Sequence, residues 1–95
     1  MIEIKANSTE AATEKHIPVV EVNGDVVNVV VGSVIHPMSE EHWIDWVCVV
    51  TNLGRHRRVL KPGQEPKATF TLDKEEKVER VYAHCNLHGL WVKEL

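Results

Sequence analysis

"IPVVEVNGDVVNVVVG", residues 17–32, decides the fold. Two runs rich in β-branched residues flank Asn23-Gly24-Asp25. This is a strong hairpin signal, because the turn needs positive φ and the flanks pack well on a pleated surface. Working outward, "HWIDWVCVVTNLG" (42–54) has alternating character and ends in turn residues, and "KATFTL" (67–72) and "VERVYAH" (78–84) are shorter alternating runs. "KPGQEP" (61–66) is a loop by its prolines and glycine. Only "TEAATEK" (9–15) has helical composition, enough for a turn or two. Six or seven short strands with turns between them predict an all-β, immunoglobulin-like antiparallel β-sandwich of about seven strands.

The 95 residues make one domain, long enough to bury roughly 60–65% of the unfolded surface without staples. Residues 1–13 read as a lead-in and 14–95 as the domain. Neither a repeat nor a low-complexity tract is present. Two cysteines are too few for a disulfide framework, the first residues lack a signal peptide's apolar segment, and the longest apolar run falls well short of a membrane span. These features predict a soluble chain of the reducing cytoplasm. A net charge of −3 with mixed signs argues against nucleic acid as a partner. The basic run "RHRR" (55–58) reads as a solvated hairpin end rather than a docking patch. Valines of "DVVNVVVG" could serve a dimer or tetramer interface.

Histidine is the informative residue. Of six, His56 lies in the basic cluster and reads as solvated, while five lie beside other candidate ligands. His16 precedes Ile17-Pro18, His36 and His42 bracket "PMSEE", and "HCNLHGLW" (84–91) places Cys85 and His88 three apart. Cys-x-x-His brings a thiol and an imidazole within reach of one transition metal. Alternation puts His42 on one face with Ile44, Trp46 and Cys48, which reads as the core-facing side, so His42 belongs at the sandwich rim where loops gather. The residues leave three metals open. Zinc suits a closed structural site of one cysteine and three histidines. Type-I copper suits a sandwich with Cys-x-x-His, yet no methionine follows His88. Five nitrogen and sulfur ligands suit iron, with four imidazoles near a plane, an axial thiolate and a sixth position open to substrate.

"EKHIPVV", "HPMSEEHWIDW" and "HCNLHGLW" resemble, in order, three signatures of the superoxide reductases, the neelaredoxin and desulfoferrodoxin family. The resemblance implies the same β-sandwich and the one-electron reduction of superoxide to hydrogen peroxide at mononuclear non-haem iron, Fe(2+)/Fe(3+). It implies His16, His36, His42 and His88 as equatorial ligands and Cys85 as the axial thiolate. It assigns Lys15 to anion attraction and proton delivery, and Glu14 to the sixth position of the oxidised iron. It further implies a rubredoxin-like electron donor and a homo-oligomer. Desulfoferrodoxins carry a second iron held by four cysteines in an N-terminal domain; no cysteine precedes Cys48, so that centre is expected to be absent, although "NSTEAATEKH" resembles the linker that follows it. His84 stands where the family commonly has tyrosine, and Cys48 where an acidic residue is frequent. We read His84 as pointing away from Cys85, and Cys48 as a buried free thiol.

Overall fold

The computed structural model describes residues 13–95, apart from the side chains of residues 13 and 14. Most of the expected lead-in therefore lies outside the described residues, as does the side chain of Glu14. A single helical turn, α1 (Thr13–His16), leads into seven strands: β1 (Pro18–Asn23), β2 (Val26–Val31), β3 (Ile44–Thr51), β4 (Arg55–Val59), β5 (Lys67–Thr71), β6 (Val78–Cys85) and β7 (Gly89–Glu94). They form two antiparallel sheets, ordered β1-β2-β5 and β4-β3-β6-β7, which face one another as a sandwich. Gly24, at φ 60°, makes the turn of the β1–β2 hairpin where the sequence placed it.

Period-two alternation builds the core. Val27, Val29 and Val31 of β2 and Ala68 and Phe70 of β5 point inward from one sheet, and Val47, Val49, Val81 and Ala83 from the other. Thus the valines considered for an oligomer interface are mainly core, and only Val26 and Val30 of β2 are half-buried.

The facing of β3 differs from the expected one. Ile44 pairs with Cys85, but Trp46 pairs with His84, so Asp45 is an extra residue, a β-bulge in β3. A bulge shifts the phase of every side chain beyond it. Ile44 therefore faces inward, Val47 and Val49 follow it, and Trp46 and Cys48 turn to the outer face. Cys48 is nonetheless buried and carries a free thiol. "RHRR" is likewise different from the expected hairpin end: Asn52–Gly54 make the turn and these residues belong to β4, where His56 binds Glu76 at 2.8 Å. Among the described residues no helix is long and apolar enough to cross a membrane.

Candidate metal centre

Antiparallel pairing brings the start of β1, the end of β2, the start of β3 and the β6–β7 turn to one end of the sandwich. Each histidine in question sits just beyond a strand at that end: His16 before β1, His36 after β2, His42 before β3 and His88 before β7. Cys85 is the last residue of β6 and is fully buried. Loops clustered on a rigid sheet framework are where binding groups from distant sequence meet.

The four imidazoles close into a ring. Centroid separations run 4.6 Å from His16 to His36, 4.6 Å to His42, 5.0 Å to His88 and 5.0 Å back to His16, with 6.2 Å across the His16–His42 diagonal. Neighbouring ring planes stand nearly perpendicular, at 75–86°. Donor atoms of His16, His36, His42 and Cys85 all lie within 4.8 Å of one another. His88 stands beside that group, its Nδ1 3.1 Å from His16 Nε2 and 3.9 Å from Cys85 Sγ.

The hydrogen bonding tests whether a metal fits. His36 Nδ1 lies 2.7 Å from the Pro37 carbonyl oxygen, which can only accept, so Nδ1 carries the proton and Nε2 holds the lone pair. That Nε2, and the Nε2 of His42, are buried with no hydrogen-bond partner among the described residues. Orphaned buried polar atoms are costly unless something occupies them. A proton is a poor occupant: burial, opposed by the Pro37 hydrogen bond and reinforced by the neighbouring histidines, lowers the His36 pKa from 6.5 to about 4. Burial also lowers His42, with the charges of His88, His16 and Lys15 acting in the same direction. Burial raises the Cys85 thiol, against hydrogen bonds from the backbone of His88 and Leu87. Neutral imidazoles converging on a buried thiol suit a cation, and one with affinity for nitrogen and sulfur.

Neighbours fix these ligand candidates. Trp91, fully buried, stacks on the His16 ring at 4.7 Å and 24°. Asn86 joins the β6–β7 turn to the His42 segment: its Oδ1 accepts from Trp43 N at 2.8 Å and its Nδ2 donates to the Glu41 carbonyl at 3.0 Å. Gly32, at φ 86°, lets the chain leaving β2 pass α1 so closely that an added Cβ would lie 2.6 Å from the Lys15 carbonyl oxygen. Sequence reasoning missed all three roles, although Asn86 and Trp91 lie inside the quoted "HCNLHGLW". Met38 is unlike a copper ligand, since its sulfur accepts from Ile44 N at 3.3 Å and it packs on the core. His84 is turned away from the centre as expected, bound to Asp45 at 2.7 Å and stacked on Trp46. Lys15 is exposed on α1.

The desulfoferrodoxin family profile matches residues 8–94. The chain belongs to the desulfoferrodoxin family. It is 48% identical over 91 residues to a desulfoferrodoxin homolog of Archaeoglobus fulgidus, covering 96% of this chain and 70% of that one. With the desulfoferrodoxin of Nitratidesulfovibrio vulgaris the identity is 43%, over 96% of this chain and 71% of the relative. The crystal structure of the superoxide reductase from Treponema pallidum superposes with a TM-score of 0.92 at 46% identity, over 96% of this chain and 75% of that one. The His16, His36, His42 and Cys85 cluster has a geometry consistent with an iron site.

Proposed function

We propose that this chain is a superoxide reductase, converting superoxide, one electron and two protons into hydrogen peroxide at one mononuclear iron per chain. The observation that carries the reading is the closed ring of four imidazoles beside a buried thiol. His16, His36, His42 and His88 would hold the iron through nitrogen and Cys85 through its thiolate. Bound there, iron supplies a one-electron redox couple and a position for a small anion.

The chain's own residues then divide the work. Neutral imidazoles add no charge, so the single Cys85 thiolate leaves a ferrous site with a net positive charge of about one, which attracts an anion although the chain is net negative. As a ligand, the Cys85 thiolate would donate electron density to the iron, a push of the kind thiolates give haem iron. Lys15, next to His16 and exposed, would bring an ammonium near the site, to draw superoxide in and donate a proton. Glu14, an anion, would contribute no attraction; its carboxylate would be a ligand for the oxidised iron. A rubredoxin-like carrier is the electron source, and the chain works as a homo-oligomer.

Metal analysis, the visible spectrum of the oxidised protein and pulse radiolysis of the reduced protein test this together. About one iron per chain, a thiolate-to-ferric charge-transfer band and a second-order reaction with superoxide are expected. A colourless zinc protein that takes up no iron and does not react with superoxide would overturn it.

A further inference from the structure

The reductase reading requires an external electron, and a second face of the molecule concentrates positive charge. All four arginines lie on two strands of one sheet, Arg55, Arg57 and Arg58 on β4 and Arg80 on β6. Register sets Arg55 and Arg57 on the outer face beside Val50 and Cys48 of β3, with Arg80 and Tyr82 of β6 on the other flank. A cavity of about 460 Å³ opens between them, its lining including Trp46, Tyr82 and Leu90 as an apolar floor under the cationic rim. The Arg57 guanidinium lies 4.3 Å from the centre of the Trp46 ring. Trp46 in turn stacks on His84, at 5.4 Å and 6° between planes. His84 is joined to Cys85 by one peptide unit, roughly 3.8 Å from Cα to Cα. The bulge at Asp45 that turns Trp46 outward is therefore also what sets this aromatic pair directly behind the thiol.

We propose that this face docks an acidic one-electron carrier protein, and that the electron enters through Trp46, His84 and the 84–85 peptide. The inference rests on the reductase reading above. In the transfer the carrier's reduced metal centre loses one electron and the oxidised centre of this chain gains it. No atom moves, and the two protons are taken up separately with superoxide. Charge complementarity selects the partner. A chain of net charge −3 repels an acidic protein on the whole, and a concentrated cationic face reverses that locally. Glu94 opposes Arg80 across β7, and Asp45 is engaged by His84, but no ion pair among the described residues engages Arg55 or Arg57. The half-buried aromatic floor supplies the desolvated contact that charge alone lacks. Docking behind the thiol also leaves the Lys15 side open, so carrier and superoxide do not compete.

The test titrates the isotope-labelled full chain with a recombinant rubredoxin of net negative charge and follows amide and indole shifts at low and moderate salt. Shifts should map to Trp46, Arg57, Tyr82 and His84, and affinity should fall as salt rises. Arg57→Glu should weaken binding and slow rubredoxin-driven reduction by at least about tenfold, while the pre-reduced variant reacts with superoxide at the wild-type rate. Arg55→Glu, which carries no ring contact, repeats the test should Arg57→Glu disturb Trp46. Shifts confined to the exposed Ile35 and Leu87, neighbours in sequence of His36 and His88, or binding and reduction indifferent to both reversals, would overturn the proposal. So would a self-associated chain whose dimer, measured by sedimentation, is broken by the same substitutions. A wild type that binds on this face yet leaves superoxide untouched would overturn the enzymatic reading instead.

Discussion

His16 Nε2 and His88 Nδ1 lie 3.1 Å apart although 72 residues separate them. Without a metal such a contact holds when one ring donates an N–H to the other. Were both rings to ligate a metal, both lone pairs would be needed, so the same two atoms would serve as a latch in one state and as two ligands in the other. His88→Ala removes both uses. Its effect should exceed that of Asn86→Ala, which touches no metal and only frees the turn from the Glu41–Trp43 segment. For Asn86→Ala the expected loss of metal affinity is the 10–100-fold typical of outer partners, roughly. Competition against a chelator of known affinity measures both. Equal losses would show that His88 acts through the turn alone.

Protons report the Cys85 bond independently of colour. Burial keeps this thiol protonated at neutral pH, while His36, at about 4, and the lowered His42 are already neutral. A metal held by Cys85 must deprotonate the thiol and takes nothing from those two imidazoles. In weakly buffered solution at pH 7, metal uptake should therefore release about one proton more from wild type than from Cys85→Ser, which should also lose its charge-transfer band. Cys48→Ser, altering a thiol on the outer face of the sheet, should match wild type in both. Equal proton release from wild type and Cys85→Ser would remove Cys85 from the coordination sphere.

The site was more legible in the sequence than the packing beneath it. Cys85-x-x-His88 and the His36–His42 pair announce themselves because metal chemistry restricts residue type and spacing. The hairpin at Asn23-Gly24-Asp25 was legible for a similar reason, since few residues accept its backbone angles. The facing of β3 was not. Strict alternation from Ile44 sends Trp46 and Cys48 inward, and a single unpaired residue, Asp45, reverses them. Nothing local marks a bulge there; it exists because Ile44 and Val47 must both reach the core. Partners such as Asn86 and the Glu41 carbonyl are 45 positions apart and meet only once both sheets have formed.

Gly32 separates backbone strain from site geometry. At φ 86° alanine is strained, and its Cβ would also meet the Lys15 carbonyl oxygen at 2.6 Å, pushing on the turn that carries His16. Gly24 has φ 60° and open space around its missing Cβ. Both alanine variants should lose about 1–2 kcal/mol from the left-handed conformation, a drop of roughly 5–15 °C in Tm. Only Gly32→Ala should also weaken metal binding, because only there does the side chain displace a ligand-bearing segment. Thermal melts of the metal-free proteins with parallel chelator titrations distinguish the two effects, and unchanged affinity in Gly32→Ala would show that α1 yields without moving His16.

Lys15 carries the steering argument, and ionic strength exposes it. A cation at the entrance raises the encounter rate of an anion, and salt weakens that advantage as the Debye length shrinks from about 30 Å at 0.01 M to about 10 Å at 0.1 M. Pulse radiolysis follows the reaction of reduced protein with superoxide directly. The wild-type rate constant should fall as salt rises. Lys15→Ala should begin roughly tenfold lower, the equivalent of ~1.4 kcal/mol of lost attraction, and vary less with salt. Lys15→Glu should be slower again, and its rate should rise with salt because the local charge now repels. The sign of that slope is the decisive reading, since a substitution that merely loosened α1 would lower the rate without reversing its dependence on salt. Identical rates and slopes in all three proteins would leave the attraction to the metal centre alone.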